Sequence, residues 1–359
     1  MAKIVCVSEE SLIRLLEAAK PGDVYAPVQR KQGSEFCRLD KVPDASLALR
    51  QPRPVSSPKA FLQPAKERVA VYSTVGAGEA EPGPARQGDA VASPVVEPYI
   101  LLGLRGCDLK AIAYLDKVLL EGEFRDPFYA ARRQAQTLIS VDCVEAHETC
   151  FCTALGCKPY AEAGFDLNLT PVAGGYLVEA GTDKGLAILQ RAGSAAKPAT
   201  DAQLAEREAV RRHTTSGVEK QTRGLRVSEK IQAPLLAAQK SGKGLEALGE
   251  CVECAACTFI CPTCYCFYLF DQATGGQTFE RLRTWDSCIL GDYSRMAGPP
   301  GAKPSPRPRL QSRFANRLLH KYAFGPAQFG LLGCVGCGRC VEACLGKIDI
   351  RQVLREISM

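Results

Sequence analysis

Histidine is scarce in this chain, with only His147, His213 and His320 among 359 residues, so metal sites built on imidazole have little to draw on. No uninterrupted apolar run reaches the roughly 18 residues that a membrane-spanning helix needs. The longest candidate, Tyr99 to Leu104, reads as one buried strand. Met1 to Val7 carries one lysine and a short apolar stretch, too brief for the core of an export signal, which points to a cytoplasmic setting. A G-x-G-x-x-G turn between a strand and a helix is missing, and so is G-x4-G-K-[ST]. Gly76 and Gly78 have no third glycine at the right offset. A FAD or NAD site on this chain therefore has no motif behind it. No Ser-His-Asp or Cys-His arrangement suggests nucleophilic catalysis either.

Cysteine, by contrast, is abundant. The chain holds 18, clustered rather than spread, which fits thiolates that bind metal in a reducing compartment better than a secreted disulfide scaffold. A hydrophobic content of 46% and a charged content of 23% are ordinary for a globular protein of two compact domains. The formal charge of +6 invites a nucleic-acid reading, but it counts every cysteine as neutral. A cubane with four thiolate ligands carries a net charge of about minus two, so two of them would cancel most of the excess.

Along the chain, Lys3 to Val7 reads as a strand, and Ser8 caps an amphipathic helix that runs to Ala19 and ends at Pro21-Gly22. Residues 51–98 are rich in Pro, Gly, Ala and Ser and read as an irregular loop, with Gly76 to Pro94 poorest in apolar periodicity. Tyr99 to Leu104, Asp108 to Leu120 and Thr137 to Val141 follow as strand, helix and strand, an α/β unit of roughly 80 residues. Gly174-Gly175 joins Leu167 to Val172 and Tyr176 to Val178 as a hairpin, and Asp183 to Arg191 begins a helix. Residues 200–248 read as exposed helices. The expected fold class is α+β: an N-terminal α/β domain over 1–195, a helical connector over 196–248, and a largely helical ferredoxin-like domain over 249–359.

The spacing Cys251-x2-Cys254-x2-Cys257-x3-Cys261-Pro262 is that of a bacterial ferredoxin, and Cys334-x2-Cys337-x2-Cys340-x3-Cys344 repeats it. In such runs three cysteines wrap one 4Fe-4S cluster and the fourth reaches its neighbour. The expected ligand sets are therefore Cys251, Cys254, Cys257 and Cys344 for one cluster, and Cys334, Cys337, Cys340 and Cys261 for the other. Zinc ribbons also use C-x2-C pairs, but they need only two pairs and no C-x3-C ending.

Other cysteines form looser groups. Cys264 and Cys266 follow Cys261 closely, and Cys288 closes Trp285-Asp286-Ser287-Cys288. These three, with Asp286 or a distant cysteine, are candidates for a further cluster, or else thiols packed beside the ferredoxin core. In the N-terminal half, Cys107 and Cys143 sit just past predicted strands, where open α/β folds place their ligands, and Cys150-Phe151-Cys152 follows. Cys107, Cys143, Cys150 and Cys152 make a candidate third cluster site. Cys6, Cys37 and Cys157 are isolated and read as structural. Basic residues recur at Arg309, Arg313, Arg317, His320 and Lys321 with mostly helical spacing, as a solvated face or a positive cover over the clusters.

Taken in order, Gly103-Leu104-Arg105-Gly106-Cys107-Asp108-Leu109, Cys150-Phe151-Cys152, Cys261 to Phe267, Trp285 to Cys288, His320-Lys321 and Cys334 to Cys340 resemble a known family. It comprises the dicluster beta subunits of sulfhydrogenases and the similar A subunit of anaerobic sulfite reductase. Departures are Ala255, where such runs often carry glycine, Leu345 in place of proline, and the loop before Pro98. The resemblance implies a non-catalytic iron-sulfur subunit of an anaerobic redox complex. It would relay electrons between a flavin-containing NAD(P)H oxidoreductase subunit and a catalytic redox subunit such as a hydrogenase, a sulfite reductase or a heterodisulfide-reductase-like module. Two other classes stay open on the residues: a reductase with its own substrate site at an N-terminal cluster, and a nucleic-acid protein with a structural cluster.

Overall fold

The computed structural model describes residues 4–19, 22–42, 46–73, 94–225, 227, 231–299 and 304–358. Apart from Pro94, the stretch from Gly76 to Pro94 read above as irregular lies outside them. Helices and strands are both present in quantity, as an α+β fold requires. The first strand, β1 (Ile4–Ser8), leads into α1 (Glu9–Ala19), and the Ser8 Oγ accepts the Ser11 amide at 3.2 Å as the expected cap. Next come β2 (Asp23–Gln29), β3 (Ser34–Arg38) and β4 (Lys66–Ser73). Then β5 (Tyr99–Leu104), α2 (Gly106–Leu119), α3 (Pro127–Ala135) and β6 (Gln136–Val141) form a right-sized strand-helix-strand crossover.

Strands β7 (Leu167–Val172) and β8 (Gly175–Ala180) form the expected hairpin, and β9 (Lys197–Pro198) is a short edge. With them the main sheet has eight strands in the order β3-β2-β5-β6-β7-β8-β1-β9. Its middle, β2-β5-β6-β7, is parallel, while the flanking pairs are antiparallel. The parallel strands β5, β6 and β7 are buried almost throughout, because helices cover both faces of the sheet. On one face α1 and the helix α4 (Asp183–Ala192) pack Leu12, Leu15, Leu16, Ile188 and Leu189 onto the sheet; on the other, α2 contributes Leu109, Ile112 and Leu115.

The other long helices are α5 (Asp201–Gln221), α6 (Gln232–Ser241), α7 (Leu310–Leu319) and α8 (Ile350–Ser358). A separate core gathers Leu235, Leu245, Leu248, Phe314, Leu318, Val353 and Leu354 behind the ferredoxin-type cysteines. So α6 and the turn after it pack with the C-terminal residues. The reading of residues 200–248 as exposed helices holds only for the outer side of α5. Its inner side holds the cysteine loop of the first half: Thr214 Oγ1 donates to the Cys143 carbonyl at 2.9 Å, and Gln221 Nε2 to the Cys150 carbonyl at 2.6 Å.

Within the stretch read as irregular, β4 is a full strand. It pairs antiparallel with β11 (Thr278–Trp285), which also pairs with β10 (Phe267–Gly275), so a segment of the N-terminal half completes a sheet of the C-terminal half. Arg283 pairs with Glu67 across the sheet and with Asp126 outside it, which fastens the sheet to the rest.

Candidate functional site: cysteine-walled cavities

The two ferredoxin runs have matching backbones. Glu253 and Ala255 lie in the left-handed region at φ 53° and 59°, and the equivalent Gly336 and Gly338 at φ 65° and 74°. Left-handed residues placed between successive cysteines turn consecutive backbone N–H groups toward the same side, which makes a concave, anion-accepting nest. Ala255 adopts the conformation that glycine favours, so its departure from the usual residue leaves the loop shape unaltered.

Three cavities are walled by cysteines. Cys251, Cys254, Cys257 and Cys344 line the first, with Cys340 at its inner edge. Cys261, Cys334, Cys337 and Cys340 line the second. The third is lined by Cys107, Cys143, Cys150 and Cys152, again with one neighbour, Cys337. Thus Cys340 touches two cavities and Cys337 touches two, and the second cavity stands between the others. All eighteen cysteines are unbridged. Among the described residues no three His, Cys, Asp or Glu side chains close on a point suited to one metal ion. The thiols face cavities instead, a donor arrangement that fits multi-iron clusters better than zinc.

The first cavity is nearest the surface. Cys254 is exposed, and Val252 and Leu345 beside it are 63% and 72% exposed. The thiols of the second are held deeper: burial pushes Cys340 up to about 12, and Cys334 upward more mildly. Cys261 goes the opposite way, because the Cys264 thiol donates to it and Lys321 and Arg317 lie close. Buried neutral thiols must release their protons to bind metal, so iron and protons compete for these sites.

The third cavity is assembled from three segments. Cys107 begins α2 directly after β5, Cys143 follows β6, and Cys150 and Cys152 lie on the loop beyond, so the strand ends do converge as the topology predicts. Arg105 fixes this geometry. Its buried guanidinium donates to the carbonyls of Leu49 and Gln51 at 2.9 Å, and to those of Val141 and Asp142 at 3.3 Å. Burial raises the thiols here too, with Cys143 at about 12.

Fully buried ion pairing joins this cavity to the second. Arg339, inside the second run, donates to Asp108 Oδ1 at 2.7 Å, and neither side chain reaches solvent. Arg53 donates to the Cys337 carbonyl, to Thr149 Oγ1 at 3.0 Å and to Glu342 at 2.8 Å. Arg53 lies in the stretch read as irregular and carries no sequence signal of this role.

Cys264, Cys266 and Cys288 are gathered beside the second cavity without lining it. The Cys288 thiol donates to Cys266 and holds it down to about 6, while Cys264 donates to Cys261 and is itself raised. Cys6, Cys37 and Cys157 line none of the three cavities; they meet Gln203, Arg30 and the Leu155 carbonyl respectively.

The basic stripe is not a solvated face. Arg309 is exposed, but Arg313, Arg317 and Lys321 are 4%, 2% and 5% exposed; Arg317 and Lys321 line the cysteine-walled cavities, and Arg313 pairs with Glu253. The helix widens to a π-turn over His320–Phe324, which carries Lys321 to the wall of the second cavity. Side chains enclosed in this way cannot reach a nucleic-acid backbone; within the stripe, Arg317 and Lys321 form a positive cover over the cysteine-walled cavities.

Comparison with known proteins places the 4Fe-4S dicluster domain family on residues 250–348. The sulfhydrogenase 2 subunit beta of Pyrococcus furiosus is 29% identical over 340 residues, 94% of this chain and 92% of that one. No solved structure matches the chain.

Proposed function

We propose, from the premise that the chain belongs to the 4Fe-4S dicluster electron-transfer subunits, that it relays electrons between a flavin-containing NAD(P)H-linked subunit and a catalytic redox subunit. What carries the reading is the sharing of Cys340 and Cys337 between successive cysteine-walled cavities, which sets three sites in a row. The 4Fe-4S cluster supplies one-electron redox chemistry with no bond made or broken. The residues of this chain have the other tasks: to hold the sites close together, to keep water from the inner ones, and to balance their charge.

Cys251, Cys254, Cys257 and Cys344 would hold one cluster; Cys334, Cys337, Cys340 and Cys261 would hold the second. This crossed sharing agrees with the lining of the first two cavities. Cys107, Cys143, Cys150 and Cys152 would hold a third, supported by their convergence at one cavity. Cys264, Cys266 and Cys288 remain candidates for a further group, supported only by their mutual contacts. The division that goes with this function is an N-terminal α/β domain, a helical connector and a ferredoxin-like dicluster domain, working in the cytoplasm as a subunit without its own substrate. Among the described residues, no helix is long and apolar enough to cross a membrane.

The test is iron and acid-labile sulfide content of anaerobically purified protein, with EPR on reduction. About twelve irons per chain are expected; about eight would confine clusters to the ferredoxin-type runs, and about sixteen would add the Cys264 group. Zinc with little iron would sink the reading.

A further inference from the structure

Arg317 and Lys321, like Lys59, are buried cations that stand among the thiols with no carboxylate partner among the described residues. Arg317 and Lys321 are four residues apart on α7 and the π-turn that continues it, and among the described residues neither forms an ion pair with Asp or Glu. Their neighbours in the same stripe and run are different: Arg313 pairs with Glu253 at 2.7 Å, and Arg339 with Asp108. Arg317 lines both the first and the second cavity. Its Nη2 donates to the Cys257 carbonyl at 3.2 Å, and its buried Nε has no hydrogen-bond partner among the described residues. Lys321 lines only the second. Its Nζ lies 3.3 Å from Cys261 Sγ and donates to Thr263 Oγ1 at 2.9 Å and the Gly333 carbonyl at 2.7 Å.

An unpaired charge costs several kcal/mol to bury, and two cations of like sign one turn apart add repulsion. The acidic groups that face them are thiols: Cys257, Cys340, Cys264 and Cys261 around Arg317, and Cys261, Cys264 and Cys334 around Lys321, with Lys59 a further cation near Lys321. Compensation must come from what those thiols bind. A cubane with four thiolates carries about minus two when oxidised and about minus three after taking one electron, so a nearby cation favours the reduced form.

We propose that Arg317 and Lys321 are the built-in counter-ions of the two ferredoxin-type clusters and make their reduction potentials unequal, Arg317 acting on both through its free Nε and Lys321 on the Cys261 cluster alone. The inner cluster, facing both cations, is then the more easily reduced and holds the electron longest. The step is a one-electron reduction of the cluster, with no proton taken up; in the complex the donor is the neighbouring redox subunit, and in the test it is dithionite. The inference rests on the two-cluster reading above, and iron content separates the failure of one from the failure of the other.

The experiment is an EPR-monitored redox titration with dithionite of the unaltered full chain and of Lys321→Met, Arg317→Met, Lys321→Arg and Arg317→Lys, with iron and sulfide measured on each. Lys321→Met is expected to make reduction of the inner cluster at least tenfold less favourable, about 59 mV for a one-electron couple, and to leave the outer one in place. Arg317→Met should shift both. Lys321→Arg should restore most of the native value, whereas Arg317→Lys, which keeps charge but lacks Nε, should restore only part. Full iron with unmoved potentials overturns the proposal, as does an equal shift of both clusters by Lys321→Met. Loss of iron from the methionine forms supports it when the charge-keeping forms retain both clusters, and overturns it when they lose them too. Absence of iron from the unaltered protein defeats the cluster reading itself.

Discussion

Ala255 is held at φ 59°, a backbone conformation in which an L side chain meets its own carbonyl and which costs roughly 1–2 kcal/mol outside glycine. Its counterpart in the second run, Gly338, adopts φ 74° without that cost. Ala255→Gly is therefore expected to stabilise the protein by up to about 1 kcal/mol, after allowance for the greater freedom of glycine in the unfolded chain. The denaturation midpoint of the iron-loaded protein reads this. A fall in midpoint would mean that the buried methyl, on a residue 3% exposed, contributes more packing than the strain removes. The two cysteine runs and this unusual position were both legible in the sequence, because ferredoxin spacing is local and each run fixes its own turn. The burial of Arg317 and Lys321 was not. A basic residue every four positions looks the same whether it faces water or a cofactor, since the charge that would compensate it belongs to no neighbouring residue.

Between elements, the second cysteine run fits tightly against the loop carrying Cys150 and Cys152. Phe151 N donates to the Gly336 carbonyl at 2.8 Å, and a Cβ on Gly338 would fall 2.2 Å from the Thr149 carbonyl oxygen. Both partners are backbone and cannot swing aside. Gly338→Ala should thus push the loop away, at a cost of roughly 1–3 kcal/mol. The expected reading is loss of about four irons per chain with the outer cluster retained, measured by iron content and EPR. Unchanged iron would show that the loop does not set the third site. The β5-α2-β6 crossover that supports this loop was readable from run length and periodicity. The strand β4 was not: Glu67 and Arg283, which pair across β4 and β11, are 216 residues apart, and a half-buried strand in a proline- and glycine-rich stretch has no local signal of its partner.

At the scale of the molecule, the two runs depend on each other, because each cavity takes its last cysteine from the distant run: Cys344 lines the outer cavity and Cys261 the inner one. A chain of this topology cannot build the outer site from residues 251–257 alone; the turn after Cys340 must close over it. That turn is fixed by the Ile348 amide, which donates to Cys344 Sγ at 3.3 Å, and by Ile348 and Ile350, which pack into the same core as Leu248. The distance between the runs in sequence is thereby spent on cohesion, since folding of α8 and closure of the outer site become one event. Cys344→Ser is accordingly expected to damage the cluster of Cys251, Cys254 and Cys257 while leaving the inner one reducible. EPR of the reduced variant distinguishes the two through the signal that survives. Damage to the inner cluster alone would mean that each run serves a single site, and the row of shared cysteines would then need another explanation.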